Sequence, residues 1–215
     1  MNADPLASSY QWLEFAAFGR LLERCRFSFL PAMRHAQRIL IFGEGDGRFL
    51  TRLLAENPAA TVDVLEKSRK MIAQAATRLN RMDRNRVCFV LADARNWNPL
   101  PSHYDLVVTH FFLDCLSSNE CEALVRKVAS ATVEDAAWIV SEFHIPESGW
   151  ARIHAGICVA AMYAFFRWVT GLEVRRIPPF AQVLSDHGFV CVDRKEWRWG
   201  MVQAQRYAKQ EGTLK

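Results

Sequence analysis

The sequence predicts a doubly wound α/β domain. Its sheet is mostly parallel and seven-stranded, with helices on both faces, an N-terminal helical extension and an antiparallel hairpin at the C-terminal end. Three observations predict this fold. From residue 38 onward, short apolar runs alternate with segments of helical periodicity. The first apolar run ends in a glycine-rich turn. The last residues form two strand-like segments that meet at Gly200, as in a sheet closed by an antiparallel pair.

Five apolar runs have the length and composition of buried strands. They are residues 38–42, 61–66, 86–92, 104–112 and 136–143. The first run, RILIF, contains no polar residue after its arginine, which is typical of a strand buried on both faces. Two further strands follow Gly188, and their junction at Gly200 predicts the terminal hairpin.

The segments between these strands carry recognisable helix ends. Pro58 stops the helix that follows the first strand. Ser68 is the predicted N-cap of one continuous helix over 68–82. Ser117 and Glu120 have the spacing of a capping box, which predicts a helix start there.

Two helical segments lie outside this alternation. Residues 10–30 have the pattern of one or two amphipathic helices, and Pro31 marks a break after them. Residues 150–172 are apolar on nearly every side over three turns, and such a helix must be covered on several sides. This second helix therefore indicates an apolar or aromatic substrate, a homodimer interface or a membrane-surface contact.

Composition excludes several classes of protein. A chain of 215 residues suits one domain with a full core. Its net charge of +4 is scattered, without a block of five like charges, which argues against DNA and disfavours RNA as a partner. The six cysteines form no Cys-x-x-Cys pair, and we interpret them as reduced thiols of a cytoplasmic protein. Neither a signal peptide nor a transmembrane segment is predicted.

The glycine-rich turn limits the classes of ligand that can bind there. Its three glycines alternate directly after the first strand, at Gly43, Gly45 and Gly47. A phosphate-binding P-loop pattern is absent, and Arg48 stands where a dinucleotide turn has its third glycine. Glu44 and Asp46 add negative charge where a pyrophosphate would lie. A cationic cofactor without phosphate, such as S-adenosylmethionine, suits these acids better, although the turn alone is also compatible with a purely structural role.

The next two strands each end in an acid. Glu66 ends the second strand, 23 residues after Gly43, and its carboxylate can accept hydrogen bonds from both ribose hydroxyls. Asp93 follows the third strand and can accept from an adenine amino group, while the amide of Ala94 donates to a ring nitrogen. Met71 and Trp97 are candidates to pack against the adenine, or for Met71 simply against the sheet.

These residues together resemble the class I S-adenosylmethionine-dependent methyltransferases. The resemblance extends over residues 36–143, and the terminal hairpin suits that family. It implies that the glycine turn binds the methionine part of the cofactor, the first acid the ribose and the second acid the adenine. The residues predicted to bind the cofactor are Gly43, Glu44, Gly45, Asp46, Gly47, Glu66, Lys67, Met71, Asp93, Ala94 and His110.

Two departures from the family pattern are informative. Many members have an aspartate two residues before the first glycine, where this chain has Ile41, so that either Glu44 or Asp46 is expected to take over its task. The Asn/Asp-Pro-Pro-Tyr motif of enzymes that methylate nucleic-acid amino groups is replaced by THFFLD. The layout is more loosely similar to small-molecule enzymes such as the quinone-pathway C-methyltransferases.

Methyl transfer from a sulfonium is an in-line displacement that chiefly requires positioning, and a base only when the nucleophile carries a proton. The catalytic candidates are His110, His144 and Tyr163. The substrate candidates are Tyr10, Asp114, Glu142, His144 and Arg167. Asp114, Glu142 and His144 have atoms that can bind a metal ion. The adjacent Asp-Asn pair of catechol-type O-methyltransferases is missing, however, and we predict no metal.

The sequence thus predicts a single methyltransferase domain acting on a small, lipophilic or aromatic acceptor. Within it we expect a helical cap over 1–35, a cofactor-binding core over 36–145, a helical lid over 146–187 and the hairpin over 188–215. An RNA or protein methyltransferase is the alternative enzyme, and a non-catalytic binding scaffold is the alternative of another class.

Overall fold

The structure is a computed structural model that describes residues 18–171, 174 and 176–210. Residues 10–17 of the predicted helical segment over 10–30, which include Tyr10, lie outside the described residues. Seven strands form one sheet in the order β3-β2-β1-β4-β5-β7-β6. The strands are β1 Arg38–Phe42, β2 Thr61–Glu66, β3 Val87–Leu91, β4 Tyr104–His110, β5 Thr132–Phe143, β6 Phe189–Trp197 and β7 Val202–Lys209.

The first five strands are parallel, and β7 lies antiparallel between β5 and β6. This confirms the predicted mixed sheet and its terminal hairpin. β1 pairs with β2 on one side and with β4 on the other, so the strand order reverses there. In open sheets of this type, a crevice forms beyond the carboxyl ends of the strands at such a reversal.

Seven helices are seen in the described part of the chain. They are α1 Leu21–Phe27, α2 Arg48–Glu56, α3 Arg69–Arg78, α4 Arg81–Arg84, α5 Ser118–Ala131, α6 Gly149–Thr170 and α7 Phe180–Asp186. The side chain of Ser68 accepts from the amide of Met71, and the capping box of Ser117 and Glu120 is complete, as predicted.

The prediction of a single helix over 68–82 is wrong. It is interrupted at Leu79, and α4 begins two residues later. The reason is local, because the side chain of Asn80 accepts a hydrogen bond from the amide of Asp83 at 2.8 Å and starts a new helix.

β4 is shorter than predicted and ends at His110. The next residue, Phe111, has a φ of 53°, which leaves the strand conformation and is unfavourable for an aromatic side chain. Its amide still donates to the carbonyl of Ser141 on β5 at 2.7 Å. The chain therefore turns sharply at the carboxyl end of β4, next to the crevice.

The core occupies both faces of the sheet, as the uninterrupted apolar run of β1 predicts. Ile39 and Ile41 belong to one cluster, while Leu40 and Phe42 belong to the cluster on the opposite face. All four side chains are almost completely buried. Both layers of helices are therefore anchored on β1, and the ends of this strand are held firmly in place.

α6 confirms the predicted long helix and packs through one face. Ala155, Val159 and Tyr163 are buried against the core, whereas Trp150 and Trp168 at its two ends are exposed. Among the described residues, no helix combines the length and the apolar character needed to cross a bilayer.

Candidate cofactor site

A cavity of about 200 Å³ lies beyond the carboxyl ends of β1, β2, β3 and β4. Every residue predicted to bind the cofactor lines it, except Gly47. The predicted residues are therefore brought together from four strand ends, although they are spread over almost 70 positions of the chain. The remaining lining is largely apolar and includes Phe42, Phe49, Leu65, Phe111, Phe112 and Leu116.

The three glycines of the turn have different physical roles, although all three have positive φ angles. A Cβ at Gly47 would lie 2.6 Å from the backbone Cα of Ala75, and one at Gly43 would lie 2.8 Å from the ring of Phe112. Both positions need glycine for close packing. A Cβ at Gly45 would meet no atom within 4 Å, because this residue borders the open cavity.

Two acids shape the turn in different ways. Glu44 accepts a hydrogen bond from the amide of Leu50 at 2.8 Å and so satisfies a backbone donor in the first turn of α2. Burial raises the pKa of Glu44 to about 8. Asp46 instead forms ion pairs with Arg48 and Arg78, at 3.0 and 3.1 Å. With Ile41 buried below them, the two acids share the organisation of the turn.

Glu66 connects the end of β2 to the glycine turn. One of its carboxylate oxygens accepts from the amide of Ser68 at 2.9 Å, and the other lies 3.4 Å from the amide of Gly45. The side chain is nearly buried and lines the cavity. Its position matches the one expected for a carboxylate that binds ribose hydroxyls.

Asp93 lies at the opposite end of the cavity, after β3. Arg95 binds its carboxylate through two side-chain nitrogens, at 2.9 and 2.6 Å, and Lys67 binds it at 2.9 Å. The hydrogen bonds from Arg95 hold the pKa of Asp93 well below its usual range. Asp93 therefore stays ionised and can act only as an acceptor. Lys67, predicted to contact the cofactor, lines the cavity and also bonds this acid.

Adjacent apolar residues complete this end of the cavity. Met71 and Ala94 are buried and line it, in agreement with their predicted positions. Trp97 packs edge-on against Phe42, with ring centroids 6.0 Å apart, and does not belong to the lining.

His110 has a definite hydrogen-bonding arrangement at the end of β4. Its Nδ1 lies 2.8 Å from Oγ of Ser141. A hydroxyl can accept a hydrogen bond, whereas Nε2 has no acceptor among the described residues. We therefore assign the ring proton to Nδ1, where it donates to Ser141. Nε2 of His110 then carries the lone pair.

The Nε2 atom of His110 is buried and has no hydrogen-bond partner among the described residues. The ring lines the cavity and meets Phe49 edge-on at 4.4 Å. Burial, assisted by the charge of Arg26, lowers the pKa of His110 well below 6.5. The imidazole is thus neutral, and its ring borders the cavity.

Arg26 on α1 is a cavity residue that the sequence interpretation missed. Its guanidinium carbon lies 5.2 Å from the ring centroid of Phe111, and the neighbouring Glu23 and Phe27 also line the cavity. Arg26 had no distinguishing local signal, because it is one of several arginines in an amphipathic helix. The position of α1 over the site results from tertiary packing.

Asp114 and Glu142, predicted to contact substrate, form a buried acid pair behind the cavity. Glu142 accepts from the amides of Phe112 and Leu113, at 2.9 and 2.7 Å, and so fixes the turn after β4. Burial raises the pKa of Glu142 well above 4.5, and the nearby Asp114 raises it further. Tyr163 of α6 donates to the carbonyl of Asp114 at 3.0 Å.

The cavity lining does not include the remaining predicted catalytic and substrate residues that the structure describes. These residues are Asp114, Glu142, His144, Tyr163 and Arg167. His144 is bonded through its amide to Met201 of the hairpin turn, and Arg167 is exposed on α6. The described residues contain no cluster of three or more histidine, cysteine or acidic side chains suited to a metal ion.

Comparison with known proteins bears on this arrangement. The family model of the methyltransferase domain matches residues 39–135. This match, over less than half of the chain, supports a class I S-adenosylmethionine-dependent methyltransferase. S-adenosylmethionine is the cofactor of that class, and its prediction from the glycine turn and the two strand-end acids is confirmed. No curated protein sequence matches the chain.

Solved structures support the same fold at low sequence identity. Mitomycin 7-O-methyltransferase MmcR is 16% identical with a TM-score of 0.67, over 97% of this chain and 61% of that one. The chain thus spans less than two thirds of MmcR. N-methyltransferase NodS from Bradyrhizobium japonicum WM9, in complex with S-adenosyl-L-homocysteine, is 14% identical with a TM-score of 0.64, over 88% of each chain. An S-adenosylmethionine-dependent methyltransferase from Mesorhizobium loti is 18% identical with a TM-score of 0.67, over 87% of this chain and all of that one.

Proposed function

We propose that this protein transfers the methyl group of S-adenosylmethionine to a small, lipophilic or aromatic acceptor. One observation carries the proposal. Glu66, Asp93 and the open backbone at Gly45 border a single cavity whose other walls are mainly apolar. Such a cavity offers separate polar contacts for a nucleoside and an apolar environment for a second molecule.

The cofactor would lie across the ends of the first three strands. Glu66 would accept from the ribose hydroxyls, while Asp93 and the amide of Ala94 would contact the adenine edge. For the methionine end, we assign Arg26 to the carboxylate and Glu44 to the ammonium group. Arg26 and Glu44 both line the cavity, and Asp46 is already bound by two arginines.

The acceptor would lie against the aromatic side of the cavity. Phe49, Phe111 and Phe112 line the wall that adjoins His110. A flat apolar molecule held there would be positioned for in-line attack on the methyl group. If its nucleophilic atom carries a proton, Nε2 of His110 is the acceptor for that proton, because burial keeps the ring neutral.

The remaining predicted catalytic and substrate residues would act indirectly. Tyr163 would hold α6 against the turn after β4, and Glu142 would hold that turn in place. We retain the proposed division into a cofactor core over 36–145 and a cover over 146–187. Because the six cysteines are free thiols, we propose the cytoplasm as the place of action.

An RNA or protein acceptor would need a basic approach to the cavity. Four cations in and beside the cavity are instead bound to acids. Arg48 and Arg78 bind Asp46, while Lys67 and Arg95 bind Asp93. Their charges are largely compensated, which favours a small neutral acceptor over a polyanion. A non-catalytic scaffold would have no need for the neutral, oriented histidine at the cavity wall.

The proposal is tested by methyl-donor consumption with panels of phenols, quinones, thiols and amines, beside total RNA and a protein mixture. We expect turnover with lipophilic small molecules and a loss of about 100-fold in kcat for His110→Gln when the acceptor carries a proton. Turnover confined to RNA or protein would contradict the proposed acceptor class. If the protein binds the cofactor but methylates no compound in these panels, the result would favour a non-catalytic scaffold.

A further inference from the structure

The outer side of α6 is an exposed apolar surface. Its large side chains have exposed fractions between 37% and 84%, and they are Trp150, Ile153, Ile157, Phe165 and Trp168. Helical spacing places them on one stripe, together with the exposed Ala160, Ala161 and Ala164. The stripe is about 27 Å long at 1.5 Å per residue and contains no charged residue. The opposite side of the helix packs on the core.

The turn of the β6–β7 hairpin extends this surface. The Trp199 ring is 68% exposed and meets His154 of α6 edge-on at 5.4 Å. Arg198 and Trp199 both have positive φ angles, an unfavourable conformation for large side chains. We call the stripe of α6 together with Trp199 the α6 face. Contiguous apolar surfaces of this kind mark interaction sites more often than ordinary solvated surface.

The charges around the α6 face are mainly positive. The only charged residues in α6 are Arg152 and Arg167, near its two ends, and both are exposed. Arg198 in the hairpin turn adds a third cation. Among the residues that the structure describes, the acids near this surface are Glu147, just before α6, and Glu196, which bonds Gln203 within the hairpin. A surface with tryptophans at both ends and cations at its edge is complementary to anionic lipid headgroups.

A second copy of the chain is less well matched. Two α6 helices packed antiparallel around Ala160 would bring Arg152 of one copy towards Arg167 of the other. No acid within either helix would compensate these charges, so the pairing would juxtapose like charges. An anionic membrane surface compensates the same cations.

We propose that the α6 face binds the surface of a bilayer that contains anionic phospholipids, with α6 lying in the plane of the headgroups. The buried side of α6 contacts the site, since Tyr163 bonds the carbonyl of Asp114 and the next residue, Cys115, lines the cavity. A bound membrane would therefore be separated from the turn beside the cavity by the thickness of α6. The membrane contact itself requires neither cofactor nor methyl transfer, so it can be tested apart from the proposed function.

The test is flotation of the full chain with vesicles of phosphatidylcholine, alone or mixed with phosphatidylglycerol. We expect binding to the mixed vesicles at least tenfold stronger than to phosphatidylcholine, and at least a tenfold loss for the double variant Trp150→Gln, Trp168→Gln. Arg152→Gln with Arg167→Gln should reduce the preference for the anionic vesicles. The matched control is Met82→Gln, because Met82 is 81% exposed on α4, away from this face.

The tryptophan variant must unfold at the same temperature as the wild type, which shows that it is folded. Failure of the wild type to float with either vesicle would overturn the proposal. So would floating that the tryptophan variant retains in full. Light scattering tests the alternative of a dimer. A dimer that the tryptophan substitutions dissociate and that does not bind vesicles would assign the α6 face to a second copy of the chain instead.

Discussion

The carboxylate of Glu66 lies 3.4 Å from the backbone amide of Gly45 and joins the end of β2 to the glycine turn after β1. The same carboxylate accepts from the amide of Ser68 at the start of α3. One acid therefore holds two loops at the cavity edge while remaining accessible from the cavity. This contact defines the geometry that the proposed cofactor would meet.

Substitutions in the glycine turn should separate stability from binding. Gly47→Ala would force a Cβ to 2.6 Å from the backbone of Ala75, and we expect a loss of about 3 kcal/mol or more in the free energy of unfolding. Gly45→Ala meets open space, so we expect a loss of about 1–2 kcal/mol from its positive φ alone, but at least tenfold weaker cofactor binding. Urea unfolding and calorimetry measure the two quantities. Equal losses in the free energy of unfolding for Gly45→Ala and Gly47→Ala would contradict the different roles assigned to these two glycines.

The tautomer of His110 can be observed directly. Long-range ¹H–¹⁵N correlation spectra should show the Nδ1–H form at neutral pH, because Nδ1 has Ser141 as a partner and Nε2 has none among the described residues. Ser141→Ala should yield a mixture of tautomers and, with a proton-bearing acceptor, lower kcat about tenfold without changing the affinity for S-adenosylhomocysteine. A dominant Nε2–H form in the wild type would contradict the assignment of the proton to Nδ1.

The pH dependence of catalysis follows from the same residue. Burial lowers the pKa of His110 well below 6.5. The ring therefore becomes protonated, and can no longer accept a proton from the substrate, only at a pH below 6.5. We expect kcat/KM for a proton-bearing acceptor to remain level as the pH falls from 8 to about 6.5, and to decrease below it. A decrease that begins above pH 7 and persists in His110→Gln would show that another group is the base.

Glu142 should make the fold less stable as the pH rises. Its folded pKa lies well above 4.5, so the folded protein retains a proton that the unfolded chain releases. The stability from this site is fully present below about pH 4.5 and is lost as the pH rises towards the folded pKa. We expect Glu142→Gln, which stays neutral, to be more stable than the wild type at pH 8 by about 1 kcal/mol and nearly equal at pH 4.

The control for Glu142 is the alanine variant, which removes the acceptor for the amides of Phe112 and Leu113. We expect Glu142→Ala to lose about 2 kcal/mol of the free energy of unfolding at pH 4 and about 1 kcal/mol at pH 8, because only the wild type is destabilised at the higher pH. Chemical unfolding at pH 4 and pH 8 measures all three proteins. A glutamine variant less stable than the wild type at pH 8 would indicate that the buried carboxyl is ionised there.

The elements that the sequence predicted well depend on local chemistry. The bounds of β1 and β2 agree with their apolar runs, and the capping box at Ser117 is formed as predicted, because both signals involve neighbouring residues. The cofactor acids were predicted because parallel strands bring their carboxyl ends together. Asn80 also carried a local signal, as a good N-cap near the end of the predicted helix over 68–82.

Other features required the tertiary structure. The contact of Arg26 with the cavity depends on how α1 packs, and the pairing of Asp114 with Glu142 joins residues 28 positions apart. The sequence placed both acids at strand ends, where a substrate role was reasonable. It could not indicate that Glu142 faces the backbone amides after β4, since that follows from how β4 and β5 pair.

The most direct test of the cofactor site is calorimetry with S-adenosylhomocysteine on the wild type, Glu66→Gln and Glu134→Gln. Glu66→Gln replaces the proposed ribose carboxylate by a neutral amide, and Glu134 is an exposed glutamate on β5 that serves as the matched control. We predict saturable binding by the wild type, at least tenfold weaker binding by Glu66→Gln and unchanged binding by Glu134→Gln. Absence of binding by the folded wild type would contradict the account.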